Sequence, residues 1–291
     1  MLSSLVNGVV VGAGYSLMAL GVVLIYKASR RFNFAQGEFG TVATFVAWNI
    51  LEPKPGGKPG SWALAALAAL AAGVVMGLLT ERLVVRPLRN SPPVTVLVAT
   101  AGVALLAISI QIIVGEAKIR SISPFSKRKG INVADIPINS QKLFIVFALV
   151  VTAVALYAFF RSKVGTALLA TSQESFAARI AGIDVNRMSM LTWGMAAFLG
   201  AAAGLLFAPL DAFTPGFMTT RRMIPGFTAA VMGGMTSLPG AVLGGFVVGI
   251  VEAVSQTLLG GVVAGADLLG VFAALLIVLF IRPQGLLGKE A

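Results

Sequence analysis

Apolar stretches long enough to cross a lipid bilayer recur along the whole chain, and this feature limits its fold more than any other. A helix of roughly 20 apolar residues spans the hydrocarbon core of a membrane. Hydropathy averaged over a sliding window places such stretches at residues 5–26, 36–51, 62–80, 94–115, 143–160, 190–210, 240–259 and 267–281, with a shorter one at 223–237. The sequence therefore predicts about eight membrane spans and one short, broken membrane segment.

The residues within these stretches favour helices over the strands of a membrane barrel. The stretch "WALAALAALAAGVVMGLLT" is apolar on every face, whereas barrel strands alternate apolar and polar residues. Small-xxx-small spacing, which lets helix backbones approach closely, occurs at Gly8/Gly12, Gly200/Gly204, Gly240/Gly244 and Gly245/Gly249. Because the chain has 33 glycines, chance explains any single pair equally well. We predict an all-α, polytopic integral membrane helix bundle that forms a single domain over residues 1–291.

Cys and His are both absent from the sequence, and this excludes most enzyme classes. Disulfides, thiol chemistry, the usual zinc sites and Ser/His or Cys/His nucleophiles all require them. The phosphate-binding pattern Gly-x4-Gly-Lys-Ser/Thr is missing too, since Gly57-Lys58 and Gly288-Lys289 lack the upstream glycine. The sequence therefore predicts no enzyme activity, no metal and no cofactor, and it assigns any ATP hydrolysis to another chain.

The net charge of +11 comes from Lys and Arg residues in the loops between the apolar stretches. At these positions the basic side chains meet anionic lipid headgroups and partner subunits rather than nucleic acid. The basic residues are divided almost evenly between the two sides of the membrane, partly because the loop 116–142 is itself basic. The small excess places the N-terminus outside and the C-terminus in the cytoplasm, provided that 223–237 crosses the membrane.

Polar residues interrupt the apolar pattern in "RFNFAQGEFG", residues 31–40. Asn33 is predicted to cap a helix that restarts there, and Glu38 falls in its first turns, where a carboxylate suits the positive end of a helix. Glu252 lies within the apolar stretch 240–259, where a charge costs roughly 2.5 to 3.5 kcal/mol. Glu252 must therefore face protein or water, either as part of a pathway between subunits or as a hydrogen-bonded group that joins two helices.

Residues 223–245, "MIPGFTAAVMGGMTSLPGAVLGG", contain too many prolines and glycines for a continuous helix. A broken helix is tolerated in a membrane where its free backbone groups line a cavity or are buried by protein. The segment is therefore predicted either to lie beside a translocation path or to form a kinked structural helix. Arg221 and Arg222 precede it, and they are expected to contact a partner or to reach the membrane surface.

The loop 161–189 is too long for a tight turn and contains a predicted short helix at the membrane surface. Ser172 is predicted to cap its start, Gly182 to adopt the left-handed conformation after its end, and Asp184 to cap the next span. Such a helix either docks another protein or lies among lipid headgroups.

"FAARIAGI" in this loop is similar to the coupling-loop motif of ABC importer permeases, Glu-Ala-Ala with a Gly after three further residues. Ala177, Ala178 and Gly182 match this motif, and Phe176 stands in place of the Glu. Four further stretches, "NFAQGEF", "ERLVVRPLR", "FTAAVMGGMTSLPGAVLGG" and "IRPQGLLG", extend the likeness to nearly the whole chain. Together they resemble the permease family of branched-chain amino acid ABC importers, in its LivH branch. The sequence departs from that branch at Gln36, where His is usual.

This resemblance implies a permease of the cytoplasmic (inner) membrane that works by alternating access. Its implied partners are a LivM-type permease or a second permease copy, two ABC ATPase subunits and an extracytoplasmic solute-binding protein. The implied ATPase-coupling residues are Ser172, Phe176, Ala177, Ala178, Arg179 and Gly182, and the candidates for the translocation path are Asn33, Gln36, Glu38, Thr228, Met232 and Glu252. The expected solute is a branched-chain or other small amino acid. Alternatives are urea or short amides carried by an ABC permease, or a channel or secondary transporter that needs no ATP.

Overall fold

The computed structural model describes residues 1–52, 59–125, 131–133 and 136–288. It confirms the all-α prediction, because helices account for nearly all of the regular structure described. The helices are α1 (Leu2–Ser29), α2 (Gln36–Leu51), α3 (Trp62–Thr80), α4 (Pro93–Gly115), α5 (Ser140–Arg161), α6 (Lys163–Gln173), α7 (Ser175–Ile180), α8 (Val185–Phe207), α9 (Met223–Gly233), α10 (Leu238–Leu259) and α11 (Ala266–Ile281).

The loop between α4 and α5 contains a small hairpin, in which β1 (Ile131–Val133) pairs antiparallel with β2 (Ile136–Ile138). Two stretches have the wider turns of a π-helix, namely Glu81–Val85 directly after α3 and Met218–Arg222 directly before α9. Wider turns of this kind recur at functional sites.

Among the described residues, six helices are long and apolar enough to cross a membrane. They comprise Leu2–Ser29, Trp62–Val85, Pro93–Gly115, Ser140–Arg161, Val185–Phe207 and Leu238–Leu259. Two further predicted spans form the shorter helices α2 and α11, with 16 residues each. All eight predicted stretches are therefore helical, but eight complete spans are not confirmed.

Helix α1 is the central helix of the bundle, with 89% of its most apolar window buried. Its glycines explain how its neighbours approach so closely. A Cβ atom added to Gly8 would lie 2.8 Å from the carbonyl oxygen of Gly249, and one added to Gly12 would lie 2.8 Å from that of Gly245. Helices α1 and α10 therefore touch backbone to backbone, which confirms the packing role predicted for these pairs.

The break predicted within 223–245 is present between α9 and α10, where Gly234 has a φ of 102°. The chain after α11 satisfies the carbonyl groups freed at the end of α9. Leu286 N–H donates to the Met232 carbonyl over 2.7 Å, and Leu287 N–H donates to that of Gly233 over 3.1 Å. The broken helix is thus closed by protein, which is one of the two ways in which a membrane tolerates free backbone groups.

The chain between α1 and α2 turns back into the bundle. Arg30 has a left-handed φ of 53°, and residues 31–33 that follow it are not helical. Phe34 N–H then donates to the Thr100 hydroxyl over 3.1 Å, and Gln36 contacts the middle of α1 at Gly21. Helix α2 therefore begins inside the bundle, which explains why it is shorter than a full span.

The loops lie in two groups, one at each end of the bundle, and the loops of each group contact one another. At one end, called here the basic end, Arg31 donates to the Leu88 carbonyl over 3.0 Å and Arg89 donates to Asn186 over 2.8 Å. At the opposite end, the backbones of Arg120 and Phe213 form a bridge.

Candidate functional site

Glu38 lies in the first turn of α2 with no exposed surface. Its Oε2 accepts a hydrogen bond from Gln111 Nε2 over 2.6 Å, and its Oε1 accepts one from the Thr41 hydroxyl over 3.4 Å. The Gln111 Oε1 in turn accepts the Gly216 N–H over 3.0 Å. The cluster therefore joins α2, α4 and the segment before α9.

Asn33 and Gln36 form a second buried pair on the same segment. Asn33 Nδ2 donates to Gln36 Oε1 over 3.3 Å, and Gln36 Nε2 donates to the Ala196 carbonyl of α8 over 2.8 Å. The prediction that Asn33 caps α2 is wrong, since the cap position is Ala35. Asn33 Oδ1 instead accepts the Ala35 N–H over 2.9 Å, because the chain turns once more before the helix starts.

Glu252 belongs to a separate, partly buried network around Arg222. The Arg222 guanidinium donates to the Tyr15 hydroxyl over 2.8 Å, pairs with Asp211, and lies 3.7 Å from Glu252 Oε1. It also stacks over the Phe207 ring, 4.7 Å from its centroid. Arg222 thus turns inward, so the expectation of a surface role is wrong. The network links α1, α10 and the segment between α8 and α9.

This arrangement of Arg222 follows from the π-helix before α9. Thr219 in the same segment lies against Gly37 of α2, whereas Arg222 reaches Tyr15 of α1. The five-residue segment Met218–Arg222 therefore lies between the Glu38 cluster and the Arg222 network. A run of two arginines before an apolar helix gave no signal that one of them is internal.

Thr228 and Met232 are both buried on α9, with exposed fractions of 2% and 1%. The six path candidates therefore occupy three places: Asn33, Gln36 and Glu38 at the start of α2, Thr228 and Met232 within α9, and Glu252 beside Arg222. All of these side chains are largely enclosed within the chain. Within the described part of the chain, no three His, Cys, Asp or Glu side chains are grouped to hold a metal ion.

The loop between α5 and α8 forms two short helices at the basic end, α6 and α7. The prediction that Ser172 caps α7 is wrong. Ser172 lies in the last turn of α6, and its hydroxyl donates to the Leu169 carbonyl. Glu174 takes the cap position, and its carboxylate accepts the Phe176 N–H over 3.1 Å. Ser is a preferred N-cap residue and Glu is not, so the sequence favoured Ser172, but α6 continues to Gln173 and leaves the cap position to Glu174.

Two other predictions for this loop are confirmed. Gly182 has a φ of 81°, the left-handed conformation expected after a helix. Asp184 caps α8, accepting the backbone N–H groups of Asn186 and Arg187.

Helix α7 presents an apolar face away from the bundle. Phe176 is 70% exposed and Ile180 is 74% exposed, whereas Ala178 packs inward with 5% exposed. Ala177 and Arg179 are also exposed. An exposed apolar surface of this kind is typical of a site that contacts another protein or the membrane.

A polar cavity of about 300 Å³ lies behind this helix. Its lining includes Arg30, Arg31, Arg89 and residues 171–175 between α6 and α7. Burial lowers the pKa of the Arg31 guanidinium, and the nearby charge of Arg89 lowers it further. Arg31 remains charged, as arginine does in proteins. Its guanidinium donates hydrogen bonds to backbone carbonyls of the loop after α3.

Comparison with known proteins identifies the family. The model of the "Branched-chain amino acid transport system / permease component" family matches residues 4–281, nearly the whole chain. The chain belongs to this permease family. It is a multi-pass membrane protein and a transport subunit of the ABC type, and not an enzyme.

Individual permeases match this chain over most of their lengths. The chain is 30% identical to the high-affinity branched-chain amino acid transport system permease protein BraD of Pseudomonas aeruginosa, over 99% of this chain and 96% of that protein. It is 29% identical to the permease protein LivH of Escherichia coli over the same shares. A probable LivH of Methanocaldococcus jannaschii is 27% identical over 94% of this permease and 88% of that protein.

A solved structure has the same fold. One chain of PsaBC from Streptococcus pneumoniae, solved in complex with Fab, superposes with a TM-score of 0.51. The superposition covers 97% of this permease and 92% of that chain at 15% sequence identity. At this identity, the likeness supports the fold of the permease and nothing more specific.

Proposed function

We propose that this permease imports branched-chain amino acids across the cytoplasmic membrane, driven by separate ATPase subunits. The proposal is carried by the sequence similarity, over 96% of their lengths, to two permeases that are named for this transport. The solute is delivered by an extracytoplasmic binding protein, and a LivM-type permease or a second copy completes the membrane channel. The paired permeases open alternately to the two sides, because ATP binds the two states of the transporter with different affinities.

The uptake of radiolabelled leucine by a strain that lacks its own importers of branched-chain amino acids tests this function. The permease is expressed with the other subunits of its transporter, and urea serves as the competing small solute. We expect uptake of leucine that requires ATP and is unaffected by excess urea. Inhibition by urea, or uptake by the permease alone along a gradient, would contradict the proposal.

Within this mechanism, we propose that residues 161–189 are the cytoplasmic coupling loop and that α7 docks into the ATPase subunit. The exposed side chains of Phe176 and Ile180 support this role, because amphipathic helices bind partners through apolar anchors on one face. Arg179, Ala177 and Gly182 then border the contact, and Ala178 and Ser172 support α7 from below.

Replacement of Ile180 by Asp is expected to weaken the binding of the ATPase subunits by at least about tenfold, because a charge would replace a buried anchor. Co-purification of the ATPase with the tagged permease measures this loss. The matched control is Ile281→Asp, since Ile281 is similarly exposed at 71% but lies at the end of α11. Equal ATPase recovery from both variants would remove the coupling role from α7.

A further inference from the structure

Glu38 is a fully buried carboxylate that has no basic partner among the described residues. The other intramembrane carboxylate, Glu252, lies beside Arg222. Buried charges in proteins are paired or bind a cation, because an isolated charge in a medium of low dielectric constant is very costly. Glu38 therefore has capacity for a cationic group that the described part of the chain does not supply.

The Gln111 side chain connects Glu38 to a large cleft. Gln111 donates to the Glu38 carboxylate over 2.6 Å, and it also lines a cleft of about 1560 Å³ between α2, α3 and α4. The cleft extends from Leu83, beyond the end of α3, to Arg120, beyond the end of α4. Displacement of Gln111 would open the carboxylate to this space.

Gln111 belongs to a helix with few contacts inside the chain. Only 28% of the most apolar window of α4 is buried, the same fraction as for Trp62–Val85 and far less than the 89% of α1. Its buried residues form one narrow stripe facing α2: Val96, Thr100, Ala104, Ala107 and Gln111. Because the chain contacts α4 mainly along this stripe, a shift of α4 breaks few contacts within the permease.

The walls of the cleft suit one class of solute. Val46, Val75, Met76 and Ile110 are among the mostly apolar residues that line it. An aliphatic side chain packs favourably against such walls, and a carboxylate beside them pairs with an ammonium group. These two features together match an amino acid with an apolar side chain.

We propose that Glu38 binds the ammonium group of the transported amino acid after α4 shifts and Gln111 releases the carboxylate. The inference rests on the proposed import function and assigns the solute contact to a residue. In the closed state, Gln111 and Thr41 take the place of the solute by hydrogen bonding to the same carboxylate. The site is therefore occupied by the protein between transport events.

Leucine uptake by proteoliposomes that contain the complete transporter tests this proposal. Glu38→Gln keeps the shape of the side chain and removes its charge, so uptake should fall by at least about tenfold while assembly is retained. The control is Thr44→Val, which removes an equally buried hydroxyl of α2 that donates to the Gly40 carbonyl and not to Glu38, and uptake should stay within about twofold of wild type. Wild-type uptake by Glu38→Gln, or an equal loss in both variants, would overturn the proposal.

A proton is the other cation that a carboxylate binds, and a pH-sensitive dye inside the proteoliposomes distinguishes the two. Acidification in a fixed ratio to leucine uptake would assign Glu38 to protons and overturn the proposal. No such acidification is expected. If the wild-type transporter takes up no leucine at all, then the import function fails rather than the Glu38 assignment.

The shift of α4 can be measured separately because the chain contains no cysteine. Ala104 is 5% exposed on the face of α4 that meets α2, and Ala203 is fully buried in α8. A small thiol reagent should label Ala104→Cys faster during ATP turnover than at rest, and Ala203→Cys should stay protected throughout. Protection of Ala104→Cys in both states would show that α4 does not open and would overturn the proposal.

Discussion

At the scale of single residues, Arg222 is the side chain whose role depends most on the tertiary structure. It meets Tyr15, Asp211 and Glu252, which lie on three separate parts of the chain. A basic residue in this position offsets two carboxylates in a region of low dielectric constant. Removing one partner of a buried ion pair destabilises a protein far more than removing both.

Replacement of Arg222 by Met is expected to lower the stability of the permease by about 3 kcal/mol or more, because two carboxylates are left without their counter-charge. Thermal unfolding in detergent measures this change. Arg221→Met, at the exposed neighbouring position, should unfold at the wild-type temperature. Adding Asp211→Asn and Glu252→Gln to Arg222→Met should restore much of the loss, and a triple variant no more stable than the single one would contradict this account.

At the scale of helices, the structure separates what local sequence determines from what it does not. Hydropathy is a local property, so it located all eight apolar helices, and the prolines and glycines located the break after α9. The start of α2 depends instead on contacts of residues 33–36 with α8 and α4, which are remote in sequence. For the same reason, the partners of Glu38 and Glu252 could not be predicted, although the sequence names both residues as candidates for the translocation path.

Close contact between α1 and α10 is a helix-scale property that glycine substitutions can test. Gly12→Ala is expected to destabilise the bundle by about 1 to 3 kcal/mol, because the added methyl group would lie 2.8 Å from the Gly245 carbonyl oxygen. Gly102→Ala in α4 is the matched control, since nothing lies within 4 Å of the added atom there. The control should be neutral or slightly stabilising, as Ala favours helix over Gly. Equal unfolding temperatures for both variants would argue against backbone contact between α1 and α10.

At the scale of the whole molecule, the two ends of the bundle face different sides of the membrane. The basic end holds residues 161–189, which we propose as the coupling loop, and on this proposal the basic end lies in the cytoplasm. Helix α1 ends there at Ser29, next to Arg30 and Arg31. The same proposal predicts the N-terminus outside and the C-terminus inside, with the chain from Phe213 through α9 running from the Arg120–Phe213 bridge toward the basic end.

Single cysteines in this cysteine-free chain test the orientation directly. Ser175→Cys at the start of α7 and Lys118→Cys after α4 are both exposed positions at opposite ends of the bundle. In intact cells, a membrane-impermeant maleimide is expected to label Lys118→Cys, and Ser175→Cys only after the cells are opened. The reverse pattern would invert the assigned orientation while leaving the fold unchanged.

The hydrogen bonds from Leu286 and Leu287 to the end of α9 have a consequence for how the permease is made. Translation delivers residues 282–288 only after α10 and α11, so the broken helix stays open while these two helices are made. Closure of this break is therefore a late step in the assembly of the bundle. A bulky fusion placed directly after Ile281 would interfere with this step, whereas one placed after the last residue would leave the closing segment free.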